Sequence, residues 1–330
     1  MLVEYEIDIK ENMLFKKWPE LLELLLCDRT TNKNIFWATD VYERQYGNRY
    51  QFKSHITIDL ITGHNGYIIK PRIAKSKKQQ KIRIKDKAEV FTPSWVCNKQ
   101  NNLIDNDWFG RENVFNIEHD NTWSSTKNKI IFPDGKTWLD YVRELRMEVA
   151  CGEAPYLVSR YDTTTGNYID VSERIGLLDR KLRIVSENTV SEADWFAVAK
   201  WAYKSIYGYE WQGDSLLLAR EALLFTFIDF FEEKFTKEPP LDYLKEIAEI
   251  ITWNVWQMDG VRGVLPCSCC NDKYVDLLGE QTTKCCVGCK NGDIANHNGI
   301  YCYVRDWNKI DGRTKQPKKL KFISLMRNKK

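Results

Sequence analysis

The stretch that decides how this chain is read is Met147–Asp162, MEVACGEAPYLVSRYD. A short apolar run leads into Ala150, Cys151, Gly152, Glu153 and Ala154, all but one of them small. A strand that ends in such a turn lets backbone approach a ligand closely, because a side chain at the tight position would occupy the ligand's space. The pattern predicts a helix over Trp138–Met147, then a short buried strand over Glu148–Cys151 that ends at Gly152.

A nucleoside cofactor in a doubly wound sheet needs a second element. An acidic residue at the end of the next strand accepts hydrogen bonds from the ribose hydroxyls. Glu210 in YGYEWQGDSLLLAREALL stands in that place, and a helix over Asp214–Phe235 follows, with Asp214 expected to cap its first turn. Upstream, AEVFTPSWV supplies Glu89, Phe91, Thr92 and Pro93; downstream, NVWQMDG puts Asp259 at a strand end.

These elements, in this order, resemble the amino-group (N6-adenine) DNA methyltransferases of bacterial restriction-modification systems. The family's cofactor turn reads Asp-Pro-Ala-Cys-Gly-Ser-Gly-x-Phe-Leu, against Glu148, Val149, Ala150, Cys151, Gly152, Glu153, Ala154, Pro155, Tyr156 and Leu157 here. A segment similar to GEFFTP closes over the methionine end of S-adenosylmethionine in that family. The resemblance spans about Ala88 to Gly260, and the whole chain is similar to proteins labelled restriction endonuclease subunit M. It implies an α/β fold with a Rossmann-like, S-adenosylmethionine-dependent core. Phe91, Thr92, Pro93, Glu148, Cys151, Gly152, Glu210 and Asp259 would hold the cofactor. Double-stranded DNA would be the substrate, and a restriction or specificity subunit a partner.

Three departures stand beside these matches. From Gly152 to Glu210 the chain runs far beyond the roughly 20 residues expected between glycine turn and ribose acid, which implies an insertion carrying RYDTTTGNYIDVSERIGLLDRKLRIVSEN, assigned to the DNA side. Ala154 replaces a glycine, harmless at negative φ and costly at positive φ. The catalytic tetrapeptide of the family, Asn/Asp-Pro-Pro-Tyr/Phe, holds the target amine and stacks on the flipped base. It occurs nowhere in this sequence, and Pro239-Pro240 precedes the third element. Asp306 and Trp307 in YCYVRDWN are the polar and aromatic pair expected to replace it. Methyl transfer to an amine rests on alignment more than on a strong base, so the lack of a His-based triad excludes nothing. A non-catalytic methyltransferase-like subunit working with a partner chain is the second reading.

Beyond Pro266 the composition changes. Cys267, Cys269, Cys270, Cys285, Cys286, Cys289 and Cys302 fall within 36 residues, with His297 among them. Thiolates at short paired spacings are the ligand pattern of a structural zinc knuckle. The expected ligands are Cys267 or Cys270, Cys286, Cys289 and Cys302, with His297 in reserve. A zinc-containing nuclease of the HNH type is a third reading, resting on His297 and Asn298. It would need a second nearby histidine, and His55, His64 and His119 are distant in sequence.

Composition sets the frame. With 330 residues, 43% of them hydrophobic and 13% aromatic, the chain can bury a sizeable core. A formal net charge of +3 does not make the whole molecule a nucleic-acid binder, but charge is unevenly spread. Lys70–Lys87 holds nine Lys/Arg against one Asp, and Arg313–Lys330 holds eight with no acid. Such blocks are solvated faces or phosphate-binding surfaces. The N-terminal MLVEYEIDIKENML has acids where a signal peptide needs cations, and no apolar run spans a bilayer, so a cytoplasmic protein with no membrane contact is expected. In that reducing compartment the cysteines read as metal ligands, not as a disulfide framework.

The boundaries expected are 1–87 for a small α+β module with a basic segment, 88–266 for the cofactor-binding core, 267–305 for the Cys-rich zinc unit, and 306–330 for a final strand and basic tail. Within the first, a helix over Phe15–Leu26, a strand over Ile35–Tyr42 and a strand pair in Ser54–Lys70 around Gly-His-Asn-Gly are expected. Helices are also expected over Asp194–Ser205 and Leu241–Ile251.

Overall fold

The structure is a computed structural model that describes residues 11–77, 80–81, 83–84, 92–269, 272–275 and 281–327, with the backbone alone for 272–275, 281–284 and 327. It is a mixed α/β arrangement. In chain order the principal elements are α1 (Glu11–Lys17), α2 (Pro19–Leu26), β1 (Cys27–Asp28), β2 (Lys33–Asn34), α3 (Ser94–Phe109), β3 (Asn116–His119), β4 (Thr122–Ser125), α4 (Trp138–Arg143) and β5 (Arg146–Val149). There follow α5 (Leu177–Asn188), α6 (Glu192–Lys204), β6 (Ile206–Glu210), α7 (Gly213–Phe235), α8 (Leu241–Asn254) and β7 (Val255–Gln257). The last part holds β8 (Asp272–Val275), β9 (Gln281–Lys284), α9 (Val287–Asn291), β10 (Tyr303–Ile310), β11 (Pro317–Lys321) and α10 (Phe322–Arg327).

The organising feature is a three-stranded sheet in the order β5-β6-β7, parallel throughout. Helices α5 and α6 connect the first pair of strands, and α7 and α8 the second. Glu210 is the last residue of β6 and pairs with Gln257, the last of β7. The carboxyl ends of all three strands therefore lie along one edge.

Sequence explains the helices. Almost every residue of α7 as far as Phe231 is buried, as expected of a run of Leu, Phe and Ala with no polar face. Ser191 accepts from the Asp194 amide to cap α6, and Thr137 and Asp140 form a reciprocal capping box on α4. Helix α8 starts directly after the Pro239-Pro240 break. At the start of α7, a Cβ on Gly213 would lie 2.2 Å from the Phe36 carbonyl oxygen, so only glycine permits the Gly213 amide to reach the Trp37 oxygen at 3.0 Å. Buried Arg220 on α7 donates to the carbonyls of Leu25, Cys27 and Val255, tying the end of α2 to β7.

Several expectations are corrected. The helix over Phe15–Leu26 is two helices, broken where Trp18 precedes Pro19. Ile35–Tyr42 is not a strand; only Phe36 makes a bridge, to His55. Ser54–Lys70 holds no strand pair. A helical turn at Ile58–Ile61 forms instead, because local bonds from Thr62 Oγ1 to the Ile58 oxygen, Asn65 Nδ2 to the Asp59 oxygen and Thr57 Oγ1 to Asp59 outcompete an extended pairing. Asp214 does not cap α7; Gln212 occupies that position, and the Asp214 carboxylate is turned to three other groups. The stretch expected to be an insertion carries α5, the first crossover helix of the sheet.

Strand β5 begins at Arg146 and is not buried as a whole. Among the described residues it pairs with β6 alone, and while Glu148 is buried, Met147 and Val149 stand 43% and 60% exposed. Leu14, Leu21, Leu22, Leu25 and Trp37 share one continuous core with α7 and α8, so the described residues of 11–69 do not pack as a separate unit. A second, smaller cluster of Trp256, Met258, Leu265, Cys302, Val304 and Phe322 joins β7 to the last part of the chain, and β10 runs across residue 305 without a break.

Candidate cofactor turn and metal centre

Beyond β5 the chain turns sharply. Ala150, Gly152 and Ala154 have φ of 51°, 55° and 60°, a left-handed conformation at every second residue. Only one of the three is glycine; the alanines hold the turn at a steric cost that other contacts must offset. Two bonds anchor it to the neighbouring strand: the Cys151 amide to the Tyr209 oxygen at 2.9 Å, and the Gly152 amide to Glu210 Oε2 at 2.9 Å. Glycine at 208 lets this happen, since a Cβ there would meet the Cys151 sulfur at 3.3 Å. Among the described residues, and apart from its chain neighbours, no atom lies within 4 Å of where a Cβ on Gly152 would stand.

Glu210 accepts with its other oxygen from the Gln212 amide at 3.1 Å. Burial raises its carboxyl above the usual range, against the pull of the Gln212 and Gly152 amides. Glu148, beneath the turn, is pushed up to about 8 by burial, although the Tyr156 and Leu157 amides favour its charged form. Cys151 is buried beside both, and burial drives its thiol far upward. Thr92 and Pro93 lie against the segment that follows the turn: Thr163 Oγ1 donates to the Thr92 oxygen at 3.1 Å, and the Ser94 amide donates to Asp162 at 2.7 Å. Phe91, like Cys270, is outside the described residues.

Asp259 lies just past β7 on the same carboxyl edge. Its Oδ1 accepts from the amides of Val261 and Arg262, and its Oδ2 pairs with the Arg262 guanidinium at 2.6 Å. The edge thus carries, in spatial order, the left-handed turn, Glu210 and Asp259.

Two further acids at this edge escape the sequence reading. Glu153 is buried, accepting from the Arg72 amide and from Tyr161 Oη, each at 2.7 Å. Asp214 is wholly buried and accepts from Tyr42 Oη and Arg83 Nη2, both at 2.7 Å, with Lys75 Nζ at 3.5 Å. Burial works against its charge, but Arg83 and Lys75 prevail and hold the carboxyl down at about 2. Part of the basic segment is therefore an internal strap across the carboxyl edge. Lys75 and Arg83 are buried ion-pair partners, so these two cations are not a surface for phosphates. The only signal in sequence was the position of two acids near a turn and a helix start.

Asp306 and Trp307 fall at the opposite end of the sheet. Cys302 Sγ donates to the Gln257 oxygen at the carboxyl end of β7, and from there β10 runs back until Trp307 Nε1 meets Asn254 Oδ1, just before β7 begins. Asp306 pairs with Lys309 and accepts from the Asn308 amide, beside Arg146, Met147 and Tyr207 at the amino-terminal halves of β5 and β6. A return strand carries its later residues away from the edge it started at. This pair is not next to Gly152 or Glu210.

The cysteine region forms a second centre. Cys269, Cys286, Cys289 and His297 present their ligand atoms all within 4.8 Å of one another, a Cys3His group that could hold zinc. His297 Nδ1 lies 3.5, 3.7 and 3.5 Å from the sulfurs of Cys269, Cys286 and Cys289, and the Cys269 and Cys289 sulfurs are 3.6 Å apart. A tetrahedron with Zn–S of about 2.3 Å and Zn–N of about 2.1 Å has edges of about 3.8 Å and 3.6 Å, close to these spacings. The β8-β9 hairpin separates the first ligand from the pair Cys286 and Cys289, which flanks the start of α9.

The ligand set differs from the one expected. Cys302 is fully buried in the smaller core with its thiol bonded to Gln257, and Cys267 is exposed outside the group. Cys269 takes the place expected of Cys267, Cys270 lies outside the described residues, and His297 is a member instead of a reserve. Burial opposes ionisation of Cys286, yet the amides of Cys289 and Asn298 draw its thiol down to about 6, while burial and the neighbouring thiols push Cys269 up to about 12. Three sulfurs so close cannot all ionise unless a cation joins them.

Compared with protein-family models, with curated proteins and with solved structures, the chain matches none. No helix among the described residues is long and apolar enough to cross a membrane.

Proposed function

We propose that the carboxyl edge of the parallel sheet binds S-adenosylmethionine, and that the chain is an adenine-N6 DNA methyltransferase, the modification component of a restriction-modification system. In this reading β5 to β7 are the first half of a Rossmann-like methyltransferase core. The observation that supports it best is the bond from the Gly152 amide to Glu210, which joins a left-handed small-residue turn after one strand to an acid ending the next. That is the arrangement by which doubly wound sheets hold a nucleoside.

The residues present suit such a ligand. The space beside Gly152 is open to close approach, and the Glu210 carboxylate, engaged by two amides, retains lone pairs for ribose hydroxyls. Thr92 and Pro93 would flank the methionine end and Asp259 the adenine. The cofactor would supply a methyl group activated on a sulfonium. This chain's residues would orient it and exclude water, since transfer to an amine depends on alignment.

One observation favours the second reading, in which a partner chain completes the acceptor side: Asp306 and Trp307 stand at the amino-terminal end of the sheet. The two readings separate in a transfer assay. Purified protein, alone and with the product of the neighbouring reading frame, is incubated with labelled S-adenosylmethionine and plasmid DNA. Label in N6-methyladenine with the single chain supports the methyltransferase; label only with both chains supports the subunit; none in either, with no cofactor bound, overturns both.

A further inference from the structure

We propose that Cys269, Cys286, Cys289 and His297 bind one zinc ion that positions the loop after β7, which carries Asp259 and Arg262. The inference does not depend on the cofactor reading. Three thiolates and a neutral imidazole around Zn2+ leave one net negative charge on the centre. The Arg262 guanidinium, in that loop, pairs with Asp259 Oδ2 at 2.6 Å, and Asp259 Oδ1 accepts from the amides of Val261 and Arg262. The loop that begins with this pair at the edge of the sheet continues to Cys269 in the metal centre.

Backbone contacts make the same connection. Asp259 bridges to Val264, and Val264 to Tyr301; the Cys302 amide donates to the Gly263 oxygen at 3.1 Å and the Leu265 amide to the Ile300 oxygen at 2.8 Å. Tyr301 Oη accepts from the His297 amide and donates to the Ile294 oxygen, so the bridge that Tyr301 makes to Val264 is fastened to a ligand residue. Gly299 sits against Ser268 and the Cys269 backbone, where a Cβ would come within 2.8 to 2.9 Å of them. A closed tetrahedral site of this kind contributes folding energy to the loops it joins, and zinc binding releases the thiol protons.

The test uses the full chain. Elemental analysis should find one zinc per chain in the wild type and in His297→Cys, which keeps four ligands, and none in Cys286→Ser. Hydrogen exchange then reads the coupling. Amides of 259–265 should exchange at least tenfold faster in Cys286→Ser than in the wild type, with those of 206–224 unchanged. If Cys286→Ser loosens 206–224 as well, Tyr301→Phe decides: zinc retained with the amides of 259 and 265 exchanging faster supports the proposal, and unchanged exchange overturns it. Absence of stoichiometric zinc in the wild type, or its loss with 259–265 unchanged, also overturns it.

Discussion

The Gly152 amide donates to Glu210 Oε2 at 2.9 Å, between residues 58 positions apart in the chain. A bond of that span fixes the end of one strand's turn to the end of the next strand, and it defines the carboxyl edge on which the functional reading rests. The consequences can be measured residue by residue.

Ala154 is fully buried at a φ of 60°, a conformation that costs an L-residue about 1–2 kcal/mol relative to glycine. Glycine gives back about 0.4–1 kcal/mol through its freer unfolded state. Ala154→Gly should therefore raise stability by about 0.5–1 kcal/mol, seen as a higher urea midpoint at unchanged slope. A lowered midpoint would show that the alanine methyl makes packing contacts that outweigh the strain.

Asp214 faces both Arg83 and Lys75 in the ion pairs of the strap. Removing its charge while both cations stay buried should cost about 3–5 kcal/mol in Asp214→Asn. Its folded pKa of about 2 lies below the ordinary carboxylate value, so the stabilisation is complete above about pH 4. It is lost as pH falls through about 2, and acid titration of the variant should lack that component. Equal acid sensitivity in wild type and variant would contradict the ion-pair account.

Glu148 shows the opposite sign. Its folded pKa of about 8 is above the unfolded value, so its neutral form stabilises the fold at low pH and this contribution declines as pH rises toward 8. Urea unfolding from pH 5 to pH 8 should show the wild type losing stability relative to Glu148→Gln, whose side chain does not titrate. Parallel pH profiles would mean that Glu148 is ionised in the folded protein.

Much of this architecture was legible in particular residues. Leu216 to Phe231 allow no helix other than a buried one, and the small residues at 150–154 with Glu210 marked the edge of the sheet. What escaped depended on distant partners. Ile58 to Ile61 alternate well enough for a strand, but Thr57, Thr62 and Asn65 close a helical turn by side-chain bonds that no periodicity reveals. Cys302 and Cys269 are equivalent as letters; the direction of β10 carries one into the core, while the hairpin before Cys286 brings the other to the metal centre. Lys75 and Arg83 read as surface charge until Asp214 is seen to receive them.

Whether the edge defined by Gly152 and Glu210 holds S-adenosylmethionine is decided by isothermal titration of the cofactor into the purified full chain. One binding site is expected in the wild type, with at least tenfold weaker binding in Glu210→Ala, which would remove the acceptor proposed for the ribose hydroxyls, and unchanged binding in Asp306→Ala at the far end of the sheet. No detectable binding to wild-type protein that unfolds cooperatively, or equal affinity in wild type and Glu210→Ala, would refute the cofactor site.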